Sequence, residues 1–166
     1  MRLFIAIRFS DEITKALEEI QDSLQLKGVR GNYMKPENLH LTLAFIGEYS
    51  DPDYIHELID QVKFDPFELK LKGMGSFGRL WWIGMEESAE LKSAVRQLRH
   101  LLAETDVPFD RKKFNPHITL IRKPEVPKGM PDVPPSVTVP GAKMQVDHIS
   151  LMRSDRGKNG MIYTEI

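Results

Sequence analysis

His40-Leu41-Thr42-Leu43 and His117-Ile118-Thr119-Leu120 repeat one pattern: histidine, branched apolar residue, threonine, leucine. In an extended chain, alternation puts His and Thr on one face and the aliphatic pair on the other. Such a strand is half core and half site, and two of them predict a duplicated site with two facing imidazoles. Each copy is entered from a polar turn containing proline, Lys35-Pro36-Glu37-Asn38 before the first and Asn115-Pro116 before the second. Taken singly, either histidine reads as a strand-end residue capped by a neighbouring hydroxyl. The matched pair argues for chemistry.

Outward from these strands, the chain divides into short elements. Residues 2 to 9 read as a buried strand. Ser10 is an N-cap, Asp11 and Glu12 occupy a first helical turn, and Ile13, Ala16, Leu17, Ile20 and Leu24 recur at helical spacing until Gly28. The first His-x-Thr strand follows, ending near Gly47. Asp51-Pro52 opens a second helix with Ile55, Leu58, Ile59 and Val62 inward.

Phe67 to Lys72 alternates as a strand, with Leu80 to Gly84 expected as its partner across a turn at Gly73, Gly75 and Gly78. A third helix carries Leu91, Val95, Leu98 and Leu102 on one face. After the second His-x-Thr strand, Pro124 to Pro140 reads as an irregular loop. Gln145 to Ser154 and Met161 to Ile166 read as two closing strands. Trp81 and Trp82 point to opposite faces, with core burial expected for the pair. His56 and His100 fall on helices, and His148 sits in a late strand as a candidate support for the site. The expected class is α+β: a bilobed, duplicated fold of two mostly antiparallel sheets, with outer helices around a central cleft.

Composition excludes several alternatives. The 166 residues can bury one core, so a single domain over 1–166, made of two pseudo-symmetric lobes, is expected. No apolar run approaches the roughly 18 residues of a membrane span. The first nine residues lack the long apolar stretch and small-residue cleavage site of a signal peptide. There is no cysteine, hence no thiolate chemistry, and a cytoplasmic location is expected. Net charge is −1, so the whole chain is no magnet for nucleic acid. Locally, Arg111, Lys112, Lys113, Arg122 and Lys123 bracket the second His-x-Thr and would draw an anion there. No heptad demands a dimer, so a monomer without an obligate protein partner is expected.

Two imidazoles flanking one pocket suit proton transfer near neutral pH. One takes a proton from an attacking water or hydroxyl, and the other gives one to a departing alkoxide. Thr42 and Thr119 would aim hydroxyls at anionic oxygens, and Arg122 supplies a fixed cation. The set suits in-line attack on a phosphodiester whose ring holds the atoms ready, as in a 2',3'-cyclic phosphate at an RNA end. No Gly-rich phosphate loop, zinc spacing or Gly-x-Ser-x-Gly turn is present, and no cofactor is expected. A metal held by His40, His117 and a third ligand such as His148 stays open.

The chain resembles the 2H phosphoesterase superfamily, specifically the RNA 2',3'-cyclic phosphodiesterases also called the 2'-5' RNA ligase family. The resemblance rests on Arg2 to Ile7, on the block Pro36 to Glu48, and on Pro116 to Arg122, with Ser154, Gly160 and Tyr163 similar to the family's final hairpin. It implies metal-independent hydrolysis of a 2',3'-cyclic phosphate to a 2'-phosphomonoester in a cleft where both histidines meet. By position, it implies that His40 protonates the leaving O3' and His117 activates water, roles that pseudo-symmetry makes exchangeable on paper. Thr42 and Thr119 would hold the phosphate. Joining a cyclic end to a 5'-hydroxyl would be the same chemistry with another nucleophile.

Phe45 and Arg122 each stand five residues after a histidine. Strict alternation puts both on the face away from the histidines, and the resemblance puts both in the cleft. The cleft placement requires each strand to bend or bulge after its threonine. Phe45 could then stack on a base, or else be plain core. Two other readings are a 2H enzyme acting on a small cyclic nucleotide, such as an ADP-ribose cyclic phosphate, and a non-catalytic RNA-end binding module. The second has no use for two proton-transfer groups.

Overall fold

The computed structural model describes all 166 residues. Strand β1 (Arg2–Arg8) is followed by α1 (Asp11–Leu26), β2 (Arg30–Tyr33) and a single 3-10 turn at Pro36–Asn38. Then come β3 (His40–Glu48), α2 (Pro52–Asp60), β4 (Phe67–Phe77), β5 (Leu80–Met85) and α3 (Ala89–Glu104). The chain closes with β6 (Ile118–Glu125), β7 (Lys143–Val146), β8 (Ser150–Gly157) and β9 (Gly160–Glu165). The strands form two wholly antiparallel sheets, ordered β3-β1-β8-β9 and β2-β6-β5-β4-β7. The expected α+β class, with two antiparallel sheets and outer helices, is the one observed.

Local signals place the helices. Ser10 Oγ accepts the Ile13 N–H, Asp51 Oδ1 that of Tyr54, and Ser88 Oγ that of Leu91, so each helix begins on a side-chain cap. The first helix stops where Gly28 turns left-handed at φ +83°. The buried faces of the three helices join the inner faces of both sheets in one continuous apolar core. Within it, each fully buried Leu or Ile contributes roughly 1.5–3 kcal/mol. On the other face of the first sheet, Phe4, Ala6 and Met152 pack with Phe45 and Tyr163. That patch is the floor of the cleft.

Three expectations need correction. Arg30–Tyr33 forms β2, which the sequence reading passed over, because its residues are mostly exposed and only pairing with β6 makes it a strand. Gly73 and Gly75 lie inside β4, and the reversal comes at Gly78-Arg79. Gly75 faces Trp82, whose ring occupies the space a Cβ would need. The segment from Gln145 to Ser154 is two strands that join different sheets, with His148 exposed in the link between them.

Candidate active site

One local device delivers both histidines. His40 Nδ1 lies 2.6 Å from the Asn38 carbonyl oxygen, and His117 Nδ1 lies 2.6 Å from that of Asn115. A carbonyl only accepts, so each Nδ1 carries a proton and each Nε2 is left to work in the cleft. Nε2 of His40 meets Thr42 Oγ1 at 2.8 Å. Each ring also packs in a cluster with two aromatics that touch each other. Phe4 and Tyr163 flank His40 at centroid distances of 4.9 and 5.3 Å, and Phe77 and Trp82 flank His117 at 5.0 and 6.4 Å.

Both strands then bulge at the same point. Along β1, Ala6 pairs with Thr42 and Ile5 with Ala44, so Leu43 is the extra residue. Along β5, Trp82 pairs with Thr119 and Trp81 with Ile121, so Leu120 is the extra residue. One inserted residue reverses the parity of everything after it. Leu43-Ala44 and Leu120-Ile121 are consequently buried in succession, and Phe45 and Arg122 turn to the histidine side. Lys123, just after Arg122, takes the left-handed φ of +52°, a strain on the order of 1 kcal/mol for a residue with a Cβ.

The bulges are braced across the molecule. Gln21 Nε2, on α1, donates to the Leu120 carbonyl at 3.1 Å and to the Met34 carbonyl at 2.9 Å. Arg99, on α3, donates to the Leu43 carbonyl from Nε at 3.2 Å and Nη2 at 3.0 Å. Gln21 and Arg99 each stand ten residues beyond the first residue of their helix, Asp11 and Ala89. The unit β1-α1-β3 thus supports the bulge of β6, and the unit β5-α3-β6 supports the bulge of β3.

The cleft between the histidines has a volume of about 430 Å³. It brings together His40, Thr42, Phe45, His117, Thr119 and Arg122. Arg2 and Arg156 join Arg122 in its lining, and no carboxylate does. A protein of net charge −1 therefore presents a locally positive pocket suited to an anion. The Arg2 guanidinium lies over the Phe45 ring at 5.0 Å. Burial holds His40 below its ordinary value of 6.5; the Asn38 carbonyl pulls upward, and the charges of Arg122 and His117 push further down.

His148 does not reach this cleft. It is exposed beside Asp147, Nδ1 to Oδ1 2.7 Å, away from the residues it was a candidate to support or to join as a metal ligand. Nowhere do three or more potential metal-ligating side chains converge. Trp81 is buried as expected, but Trp82 is only half-buried, against His117. Sequence reasoning missed Phe4, Tyr163, Arg2 and Arg156 as lining, and missed the two asparagine carbonyls. A signal for the asparagines was present, since Asn38 and Asn115 stand two residues before each histidine.

A model of the 2'-5' RNA ligase superfamily matches residues 9–158. An RNA 2',3'-cyclic phosphodiesterase of Thermotoga maritima is 31% identical over 98% of this chain and 91% of its own length. One of Archaeoglobus fulgidus is 32% identical over 100% of this chain and 98% of its own. The crystal structure of E. coli LigT complexed with 3'-AMP superposes with a TM-score of 0.78 at 28% identity, covering 99% of this chain and 94% of that one. With the match spanning nearly the whole chain and both histidine strands, this protein belongs to the 2'-5' RNA ligase superfamily of 2H phosphoesterases.

Proposed function

We propose that the protein hydrolyses the 2',3'-cyclic phosphate at an RNA end to a 2'-phosphomonoester, using two histidines and no metal. The observation that carries this reading is the pair of Nε2 atoms, each set by a carbonyl on Nδ1, in one carboxylate-free cleft with Thr42, Thr119 and Arg122. The hydroxyls and the guanidinium hold the non-bridging oxygens, whose charge grows as the fifth oxygen approaches phosphorus. Water loses a proton to His117 Nε2 as its oxygen bonds to phosphorus. The P–O3' bond opposite breaks, and O3' takes the proton of His40 Nε2. Phe45 offers its ring to the terminal base.

The two imidazoles repel each other's charge, which penalises the doubly protonated site and favours one acid beside one base. Burial makes the His40 ring costly to charge. The bound phosphate anion, with the Asn38 carbonyl behind the ring, loads it with the proton it later gives up. The chain's similarity to RNA 2',3'-cyclic phosphodiesterases supports the substrate class. With a 5'-hydroxyl in place of water, the same steps join two RNA ends through a 2',5' linkage.

The test is a short RNA ending in a 2',3'-cyclic phosphate, incubated with the protein in EDTA beside His40→Ala and His117→Ala. Conversion to a 2'-phosphate that falls at least 10³-fold in both variants is expected, on the order of what acid–base catalysis contributes at two positions. Turnover of a small cyclic nucleotide but not of RNA would assign the cleft to that smaller substrate. Tight binding without turnover would make the protein an RNA-end binder.

A further inference from the structure

One end of the cleft is left unused by the two-histidine reaction. Antiparallel register places Arg2, Ser154 and Tyr163 in one row across β1, β8 and β9. Arg156 stands two residues further along β8 and so on the same face. All four line the cleft. The Tyr163 ring is 5.3 Å from that of His40, so the row begins beside the reacting centre.

The polar groups of this row are idle. Ser154 is buried, at 8% exposure. No hydrogen bond or ion pair within the protein uses its hydroxyl, or the guanidinium of Arg2 or Arg156. The acids nearest them are engaged elsewhere. Glu48, opposite Arg2 on β3, binds the Met1 ammonium at 2.9 Å, and Asp155 accepts from Arg153 Nε at 2.8 Å. A buried hydroxyl left unpaired is costly, and two guanidiniums without a counter-ion repel each other. A phosphate satisfies all three, taking charge from the arginines and an O–H from the serine.

The cyclic phosphate carries one charge, which Arg122 and the two threonines already serve in the reaction above. The shape of a ribonucleotide says where a second phosphate lies. O2' and O3', which carry the cyclic phosphate, project from one face of the ribose. The base and the C5' arm rise side by side from the other face. A phosphate on O5' therefore sits next to the platform that holds the base. Phe45 is that platform in the reading above, and the Arg2 guanidinium is 5.0 Å from its ring centre.

We propose that Arg2, Ser154 and Arg156 seat the phosphate on O5' of the same ribose that carries the cyclic phosphate. The inference rests on the cyclic-phosphate reading and adds to it the groups that tell a phosphorylated end from a bare cyclic nucleoside. An RNA chain supplies that phosphate as a diester, and a lone nucleotide supplies it as a 5'-monophosphate.

The test compares three substrates on the intact protein: uridine 2',3'-cyclic phosphate, the same nucleotide with a 5'-monophosphate, and a dinucleotide ending in it. Their kcat/KM values are measured for the unaltered protein, for Arg156→Ser and for Ser154→Ala, each variant checked for folding by its thermal transition. Expected is a preference of about tenfold or more for a phosphate on O5', shrinking several-fold in both variants and with rising salt. A merely structural role would lower all three substrates together and leave the preference intact. The two phosphorylated substrates separate the sources: gain for both assigns any phosphate on O5' to the seat, and gain for one alone assigns that source.

Equal efficiency on all three substrates overturns the seat and leaves the cyclic-phosphate reading standing. A preference that survives both substitutions overturns the seat as well. Hydrolysis of none of the three by the unaltered protein overturns the cyclic-phosphate reading itself, and the seat with it.

Discussion

His40 and His117 share a backbone device but differ in surroundings, and the difference is measurable. His40 packs against Phe4 and Tyr163, and its burial holds its pKa below the ordinary 6.5. Followed by NMR, its pKa should rise when inorganic phosphate or a 2'-nucleotide fills the cleft; no rise would remove it as the acid. Stability carries the same sign. A histidine harder to charge in the folded state means the unfolded chain binds more protons just below pH 6.5. That contribution is present above 6.5 and is lost as pH falls through the lower, folded value. Phe45→Leu keeps the apolar bulk and removes the ring. It should raise KM for a cyclic-phosphate RNA several-fold with kcat little changed; loss of thermal stability alone would make Phe45 a packing residue. Both histidines and both threonines were legible in the sequence, because a repeated four-residue phrase is local information; alternation alone put Phe45 and Arg122 on the wrong face, and only the resemblance put them in the cleft. The aromatic boxes around the rings were not, because Tyr163 reaches His40 only through sheet pairing.

At the scale of elements, the two bulges and their braces decide which side chains face the substrate. The doubled apolar pairs Leu43-Ala44 and Leu120-Ile121 break strict alternation and mark each bulge in the sequence. Gln21 and Arg99 carry no such mark. Within its helix each is one more polar residue, and only the packed structure brings it onto a carbonyl of the other unit. Gln21→Leu should cost about 1–3 kcal/mol in unfolding free energy, the usual penalty for stranding buried polar groups. The Leu120 carbonyl keeps the Met34 N–H at 2.8 Å, which favours the lower end of that range. If the brace positions Arg122, kcat falls as well, and Gln21→Glu, which cannot donate there, does not restore it. A stability loss with unchanged kcat would leave Gln21 a purely structural residue. Helix starts were readable because their caps lie within three residues of the helix, whereas β2 was not, since Arg30-Gly31-Asn32-Tyr33 has no apolar alternation.

Across the whole molecule, the cleft depends on one core serving two sheets and on the β8-β9 hairpin meeting the turn that precedes β3. Asn38 links these parts: its carbonyl holds His40, and its Nδ2 donates to the Met161 carbonyl on β9 at 2.9 Å. Lys35 Nζ reaches the Asn159 carbonyl in the hairpin turn at 2.7 Å. Asn38→Ala keeps the backbone carbonyl but frees the hairpin from the turn. It should lower kcat/KM on cyclic-phosphate RNA by roughly tenfold while the core transition shifts little, as expected for about 1–1.5 kcal/mol of lost positioning. Hydrogen exchange should then speed up in β9 and not in β1, and equal exchange in both proteins would remove the hairpin from the argument. Trp81 sits inside the shared core at 1% exposure, so Trp81→Ala should cost about 3–5 kcal/mol in chemical denaturation.

The sequence alone determined what depends on near neighbours: helix starts and stops, the two half-apolar strands, and the chemistry of paired histidines with threonines. These follow from steric periodicity and capping, which act over a few residues. Only the tertiary structure decided which residues enclose those histidines. Antiparallel pairing brought Arg2, Arg156 and Tyr163 from the ends of the chain to its middle. It also decided how far each ring is desolvated, and which helix carries the hydrogen bonds of the other unit's bulge. Burial and cross-sheet hydrogen bonding depend on distances in space, and a run of residues does not encode them until the whole core has closed.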